Sequence, residues 1–212
     1  MSSIDRKRRG YHQFCGAARA LDVVGERWTL LIVRNLLIGP RRFSDLLDEL
    51  PGITTNLLAT RLRDLGAAEL VEPAARGGYR LTEAGRALEP VLRELGRWGG
   101  RYMDRPRRGD AVNLGWGLFS LKRRYRGGVE CIVGIEADGK SFEVTLGRER
   151  MDLVEREASN PALRLAGTSH AFRRLFGLGT EPASIDELLE DKAITATGDL
   201  RHLRPFARSL AP

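Results

Sequence analysis

Apolar positions in the first half of the chain repeat with helical spacing. At about 100° per residue, Leu58, Leu62 and Leu65 fall on one face of the stretch TTNLLATRLRDL. The outward polar side chains gather on the opposite face: Asn56, Thr60 and Arg63. One face of this helix is therefore expected to pack, and the other is offered to something outside the domain.

This helix is the second of a predicted pair. The first is FSDLLDEL, with Ser44 as its expected N-cap, and it ends at Pro51; Thr54 is expected to cap the second. Two strand patterns, LVEPAA and YRLT, follow and are joined by a loop in which two glycines favour a turn. A nearly all-apolar helix from about Trp28 to Leu37 is expected to be central to the core. Helix, turn, helix and β-hairpin are the order of a winged helix-turn-helix.

A further helix is predicted after Thr82, the expected N-cap of LTEAGRALEPVLRELGRWGGRYM. Its apolar residues are spaced 3, 4, 3 and 4, as in the seam of a short coiled coil. Because two heptads are brief, dimerisation and packing on its own domain both remain open. The candidate dimer contacts are Leu88, Val91, Leu95, Trp98 and Tyr102.

From Leu114 the pattern changes: a helix is expected near Leu114 to Arg126, and the stretch from Val129 alternates like paired strands. Asp138-Gly139 is a hairpin signal, shorter strand patterns begin at Leu163 and Ile194, and helical segments lie among them. The predicted fold class is α+β: a winged helix-turn-helix domain, then a smaller α+β domain with a mainly antiparallel sheet. The expected divisions are residues 1–103, a polar linker at 104–113, and residues 114–212.

Charge adds a reason to consider nucleic acid. Residues 1–110 hold 20 basic and 14 acidic side chains, a net of +6, whereas the remainder holds 15 and 14, a net of +1. A localised basic excess is expected of a protein that neutralises phosphates. The predominance of arginine over lysine is also typical of GC-rich genomes, so charge alone does not decide the matter.

Several classes of protein are disfavoured. Cys15 and Cys131 lack the spacing of a zinc site, the three histidines are scattered, and neither G-x-S-x-G nor a phosphate-binding glycine loop is present. The basic N-terminus leads into no signal-peptide core, and no apolar run approaches the roughly 18 residues of a membrane span. We expect a reduced, cytoplasmic protein that is not an enzyme and has no cofactor, metal or membrane partner.

Asparagine and arginine on the outward helix face suit bidentate contacts with adenine and guanine in the major groove. Arg76, at the hairpin tip, is placed to enter the minor groove. Arg61 lies nearer the leucine stripe, so holding a phosphate and pairing with an acid of its own domain both stay open. The candidate DNA contacts are Arg41, Arg42, Thr54, Thr55, Asn56, Thr60, Arg61, Arg63 and Arg76.

The first half resembles the HxlR family of bacterial winged-helix regulators, relatives of the MarR group. The resemblance runs from Phe14 to Tyr102 and is carried by Cys15, by ALDVVGERWTLLIVRNLLIGPRRFSDLLDELPGITTNLLATRLRDL, by YRLTEAG and by Trp98. It implies a homodimeric transcription regulator of operator DNA, with dimer contacts from helices at both ends of the winged domain. Some relatives sense oxidants or electrophiles through the cysteine equivalent to Cys15, which makes it the redox candidate, although this chain has Cys-Gly where the family usually has Cys-Pro.

The second half resembles sterol carrier protein type-2-like domains, through its strand meander and the segment DKAITATGDLRHLRPFARSL. Such domains hold apolar ligands between sheet and helices, so the resemblance implies an apolar effector that modulates operator binding. Ordinary core packing is the alternative for the candidate ligand-binding residues: Trp116, Phe119, Phe172 and Phe176. For the whole chain, the alternative function is a winged-helix protein-protein assembly module without a specific DNA site.

Overall fold

The computed structural model describes residues 10–103 and 106–211. Residues 1–9 and residues 104–105 of the predicted linker lie outside the described residues. The chain forms two compact units, Met1–Leu92 and Arg93–Pro212. The division falls inside a helix, ahead of the predicted linker.

The N-terminal unit contains five complete helices, the start of a sixth and a two-stranded hairpin in its described part: α1 (Gly16–Val24), α2 (Thr29–Ile38), α3 (Phe43–Glu49), α4 (Thr55–Ala67), β1 (Val71–Pro73), β2 (Tyr79–Leu81), α5 (Glu83–Arg86) and the first turn of α6 (Glu89–Gly99). The strands β1 and β2 pair antiparallel, with Val71 opposite Leu81. Helix, turn, helix and hairpin occur in the predicted order, which confirms the winged helix-turn-helix.

Buried leucines and a threonine cap explain α4. Leu58, Leu62 and Leu65 are all buried, as their spacing predicts. The Thr54 hydroxyl accepts a hydrogen bond from the Leu57 backbone N–H at 3.3 Å, and so caps the helix as predicted. The leucine stripe therefore anchors one side of α4 in the core.

Two helix boundaries differ from the prediction. Helix α3 begins at Phe43, so Ser44 is not its N-cap; the Asp45 carboxylate instead accepts the Arg42 backbone N–H at 2.8 Å. The single helix predicted after Thr82 is two helices, α5 and α6, with Leu88 between them. Proline has no N–H and is tolerated only in the first helical turn, so Pro90 marks a new helix rather than the interior of a long one.

The C-terminal unit, in its described part, holds the rest of α6, a five-stranded sheet and short helices. Its elements are a 3₁₀ helix (Gly100–Tyr102), α7 (Leu114–Leu121), β3 (Cys131–Ala137), β4 (Lys140–Leu146), β5 (Met151–Glu155), β6 (Leu163–Gly167), α8 (Ser169–Leu175), α9 (Ile185–Glu190), β7 (Ile194–Gly198), a second 3₁₀ helix (Leu200–His202) and α10 (Leu203–Ser209). The order of strands across the sheet is β5-β4-β3-β6-β7.

The sheet is mixed. β3 pairs parallel with β6, while the three other pairings are antiparallel, so the strands do not form a simple meander. The chain between β5 and β6 crosses β4 and β3, because those strands lie between its ends. Ala158 of this crossover packs on Gly134, where a Cβ would meet it at 3.2 Å. The buried Glu143 carboxylate accepts the Ser159 N–H at 2.9 Å and pairs with Arg156.

The turn at Asp138-Gly139 forms where the sequence predicts a hairpin, and aromatic side chains pack in the core of the same unit. Asp138 and Gly139 both have positive φ, 49° and 77°, which is the conformation of a type I′ turn between β3 and β4. Phe176 packs edge-on against Phe206, with ring centroids 5.9 Å apart. The predicted class of mixed helix and sheet is therefore confirmed.

Candidate nucleic-acid interface

The outward face of α4 carries polar side chains. Thr55, Asn56 and Arg63 are exposed, and Thr60 is half-buried. The Arg63 guanidinium donates to the Thr60 hydroxyl at 3.2 Å. Because the opposite leucines are buried, this face is the side of α4 that an external partner can reach.

The turn between α3 and α4 rests on Trp28. This residue precedes α2 in the left-handed conformation, with φ of 79°, which is uncommon for a side chain of this size. Gly52, with φ of 92°, lies in the turn, and a Cβ there would be 3.8 Å from the indole ring of Trp28. The connection from α1 to α2 thus supports the joint of the helix-turn-helix.

Arg61 ties the same connection to the middle of α4. Its guanidinium contacts a Glu26 carboxylate oxygen at 2.6 Å, Asp64 at 3.3 Å and the Arg27 carbonyl oxygen at 3.3 Å. Only 14% of the side chain is exposed. Of the two alternatives left open by the sequence, the structure places Arg61 in ion pairs with acids of its own unit.

Arg41, one of the candidate DNA contacts, ties the hairpin to α3. Its side chain is 6% exposed, and its Nε lies 3.0 Å from a Glu49 carboxylate oxygen. Its backbone exchanges two hydrogen bonds with Tyr79, of 3.0 and 2.8 Å. A side chain at Gly78 would collide with the Arg41 carbonyl, since a Cβ would lie 2.4 Å from that oxygen. Arg42, its neighbour, is exposed.

The hairpin presents Arg76 at its tip. Ala74 and Gly78 close the loop with a backbone hydrogen bond of 3.0 Å, and Gly77 and Gly78 both have positive φ. Arg76 is exposed. Exposed cations therefore lie on the hairpin, before α3 and on α4.

Glu26 and Trp28 were not singled out from the sequence, although both support the helix-turn-helix. The available signal was the polar interruption GERW between two apolar helices. Such an interruption indicates a turn, but it does not indicate which distant helix the turn contacts. Glu26 and Arg61 are 35 residues apart along the chain.

The two cysteines have different surroundings. Cys15 is exposed and precedes α1, where the backbone N–H groups of Ala18 and then Ala17 hold the pKa of its thiol below the ordinary value. Cys131 lies half-buried in β3, and burial raises the pKa of its thiol. Of the two, Cys15 has the greater thiolate character at neutral pH.

The predicted seam along α6 is largely open to solvent. Val91, Leu95, Trp98 and Tyr102 are exposed, and Leu88 is half-buried. The Trp98 and Tyr102 rings contact each other, with centroids 5.1 Å apart. In a single chain, α6 and the turn after it therefore expose an apolar stripe.

The candidate ligand-binding aromatic residues mostly belong to the core. Phe172 and Phe176 are completely buried and Phe119 is 7% exposed, whereas Trp116 is half-buried. Within residues 10–103 and 106–211, no helix has the length and apolarity needed to cross a bilayer. The same residues contain no group of three or more His, Cys, Asp or Glu side chains that could hold a metal ion.

A supported helix with a polar outward face, joined to a hairpin with an exposed arginine, defines a winged helix-turn-helix protein. Residues 23–107 match the HxlR-like helix-turn-helix family. The HTH-type transcriptional regulator YvaP of Bacillus subtilis is 36% identical over 92 residues, which are 41% of this chain and 85% of YvaP. The chain therefore belongs to the HxlR-like helix-turn-helix family, a class of transcriptional regulators, as the sequence predicted.

Two further similarities show how much of each chain is matched. An HTH-type transcriptional regulator of Mycobacterium tuberculosis is 46% identical over 103 residues, which are 45% of this chain; the chain spans 65% of that relative's length. Quinone-bound YodB from B. subtilis is similar with 36% identity and a TM-score of 0.38, over 40% of this chain and 96% of YodB. The family match ends at residue 107, so the sterol-carrier resemblance beyond it stays a prediction.

Proposed function

We propose that the chain is a homodimeric transcription regulator that reads operator DNA with the outward face of α4. The observation that carries this proposal is the exposure of Thr55, Asn56 and Arg63 on a helix whose other side is buried. Asparagine and arginine are the side chains suited to adenine and guanine edges in the major groove. Arg76 on the wing and Arg42 before α3 contribute charge toward the phosphates.

The apolar stripe on α6 supports the homodimer. Trp98 and Tyr102 are 54% and 65% exposed, and large aromatic side chains are enriched at protein interfaces rather than on free surfaces. A two-fold dimer presents two recognition helices, and successive half-sites on one side of B-DNA are about 34 Å apart. A palindromic operator with that spacing is therefore expected.

The test uses the full chain and the DNA upstream of its own gene. A footprint over two half-sites, together with a dimer in sedimentation at micromolar protein, is expected. Protection of a single half-site or a monomer contradicts the dimer. The assembly-module alternative predicts no footprint on this DNA and no steep salt dependence of binding to it.

A matched pair of variants tests the stripe itself. Trp98→Glu places a charge within the stripe and is expected to give a monomer with much weaker operator binding. Arg97→Glu changes charge on the same helix, at a side chain that is 73% exposed, and should leave the dimer intact. Equal oligomeric states of the two variants in sedimentation would argue against a dimer through α6.

Cys15 supports a second proposal, control of DNA binding by electrophiles or oxidants. Its exposure and lowered pKa are the properties of a reactive thiol. Iodoacetamide should alkylate Cys15 faster than Cys131, with the difference largest near neutral pH. The alkylated wild-type protein should then lose operator affinity. A Cys15→Ser variant treated with iodoacetamide in the same way should keep it. Unchanged affinity after complete Cys15 alkylation removes the proposal.

An apolar effector in the C-terminal unit remains a proposal, and it rests on Trp116. This ring is half-buried, so a ligand can reach it without first displacing the fully buried Phe172 and Phe176. Saturable quenching by lipids or aromatic metabolites that is lost in Trp116→Phe, with a change in operator affinity, is expected. A coupling of about 1 to 3 kcal/mol is the usual range for such control. Quenching that persists in Trp116→Phe would exclude this site.

A further inference from the structure

The formal charge of the chain is concentrated in one short segment. Residues 1–92 hold 14 basic and 11 acidic side chains, a net of +3, and residues 127–212 hold 11 and 14, a net of −3. The described residues between them, 93–103 and 106–126, hold nine basic side chains and two acidic ones, a net of +7. This segment, from the middle of α6 past the end of α7, is called here the basic segment.

Much of that charge faces solvent. Lys122 is only 8% exposed and pairs with Asp152, and Arg124 donates to the Phe176 carbonyl oxygen at 2.7 Å, so both serve the fold. The exposed cations belong to α6, to the 3₁₀ helix that follows it, to the stretch before α7 and to the chain after α7: Arg97, Arg101, Arg107, Arg108, Arg123 and Arg126. Six exposed arginines with only two carboxylates among them depart from the mixture of both signs that is usual on a solvated surface.

The two ends of the basic segment lie together in the C-terminal unit. Arg123, after α7, donates to the Gly96 carbonyl oxygen of α6 at 2.9 Å. A Cβ on Gly100 would lie 3.8 Å from the same guanidinium. Arg97 and Arg101 each follow one of these glycines, so Arg123 lies beside the stretch of backbone that carries both, and these three arginines form one patch.

The acidic side chains of the segment do not cancel this patch. Glu94 pairs with Arg97, and the Asp110 carboxylate accepts the Arg107 backbone N–H at 2.7 Å. Two carboxylates against six exposed arginines leave a positive surface. A phosphodiester backbone, with regularly spaced anionic oxygens, is the partner that such a surface fits.

We propose that the basic segment is a second phosphate-binding surface, which binds the DNA backbone at phosphates other than those beside the bases read by α4. The inference rests on the proposed DNA-binding function and deepens it. Phosphate contacts carry no direct sequence information, so the segment adds affinity and salt dependence while α4 supplies specificity.

The experiment compares two full-length triple variants with the same loss of charge. The first changes Arg107, Arg108 and Arg126 to Gln within the basic segment. The control changes Arg148, Arg201 and Arg204 to Gln, which are arginines of residues 127–212 paired with Glu130, Asp199 and Asp186. Each protein is titrated with a long operator duplex, a duplex trimmed to the two half-sites, and a random duplex over a range of salt concentrations.

The slope of log affinity against log salt is expected to fall by about 0.9 for each phosphate contact removed. This reduction should occur for the first variant on the long operator and random duplexes, and be smaller on the trimmed duplex. The ratio of operator to random affinity should stay constant, and the control should retain the wild-type slope. A first variant with the wild-type slope on every duplex, or a control that loses as much slope, overturns the inference.

The two proposals fail in different ways. If the wild-type protein shows no preference for any operator, the proposed reading by α4 fails, but the random duplex still tests the basic segment. If an operator is bound specifically and the salt slope is indifferent to Arg107, Arg108 and Arg126, only the second surface fails.

Discussion

The two units differ in whether their candidate functional side chains are exposed or buried. In the N-terminal unit, Thr55, Asn56 and Arg63 lie on the exposed side of α4. In the C-terminal unit, Phe172 and Phe176 are completely buried. A helix with one apolar face leaves its other face for a partner, whereas an apolar side chain facing the interior can equally line a cavity or fill it. Sequence periodicity decides the first case and not the second.

The largest expected effect belongs to the buried rings. Phe172→Ala should destabilise the protein by about 3 to 5 kcal/mol, because it removes a buried ring and leaves a cavity. Urea unfolding followed by circular dichroism measures the loss. Thr55→Ala on the exposed face of α4 is the control and should change stability by less than about 0.5 kcal/mol. A small loss for Phe172→Ala would mean that its ring borders space a ligand can occupy.

A second change tests the anchor of the crossover in the C-terminal unit. This anchor is Glu143. Its carboxylate accepts hydrogen bonds from Arg156 and from the Ser159 N–H, and these bonds, the one from Arg156 more strongly, hold the pKa of the Glu143 carboxyl below its ordinary value. A lowered folded-state pKa stabilises the protein above the unfolded pKa, and this contribution is lost as the pH falls. Glu143→Gln should therefore cost about 1.5 to 3 kcal/mol at pH 7, the scale of a hydrogen bond to a charged group.

The difference between Glu143→Gln and wild type should shrink below about pH 4, where glutamate becomes protonated in the unfolded chain. Unfolding titrations at a series of pH values measure this change. Glu136→Gln, at an exposed position of the neighbouring strand, is the control and should show little effect at any pH. A pH-independent difference would assign the role of Glu143 to shape rather than charge.

Much of the winged unit could be predicted because its signals are local. Leucine spacing, Thr54 as a cap and the two glycines of the hairpin each act within a few residues. The parallel pairing of β3 with β6 is different, because it depends on where residues 156–162 cross the sheet. Alternation marks strands without stating which neighbour each one joins. The topology therefore required the structure.

Charge alone likewise could not separate the arginines of the candidate interface. Arg41, Arg61 and Arg63 are equally basic in sequence, yet Arg41 and Arg61 are held by acids of their own unit. Glu49 is eight residues from Arg41, and Glu26 is 35 residues from Arg61. Pairing at such separations depends on tertiary packing. Exposure, rather than residue type, leaves Arg63 as the candidate base contact on α4.

Arg63 and Arg61 provide the third prediction. Arg63→Ala should weaken operator binding by about 1 to 3 kcal/mol and relax preference at one base position. Arg61→Ala should weaken binding without loss of a phosphate contact, so its salt slope should equal that of wild type. A double-mutant cycle with Glu26→Gln should show that Arg61 and Glu26 are coupled in operator affinity. Unchanged operator affinity for Arg63→Ala would show that its base-reading assignment is wrong.

The smallest effects come from two threonine caps, one in each unit. Thr54 caps α4 by accepting from Leu57, and Thr168 caps α8 by accepting from Ala171 at 3.1 Å. Alanine at either position should cost about 1 kcal/mol of stability, measured by urea unfolding. Only Thr54→Ala should also reduce operator affinity, because the cap fixes the first turn of α4, where Asn56 lies. Thr54→Asn should preserve the cap, so a loss of operator affinity in that variant would show that the Thr54 side chain itself contacts DNA. Equal losses of operator affinity in Thr54→Ala and Thr168→Ala would contradict the separate roles of the two units.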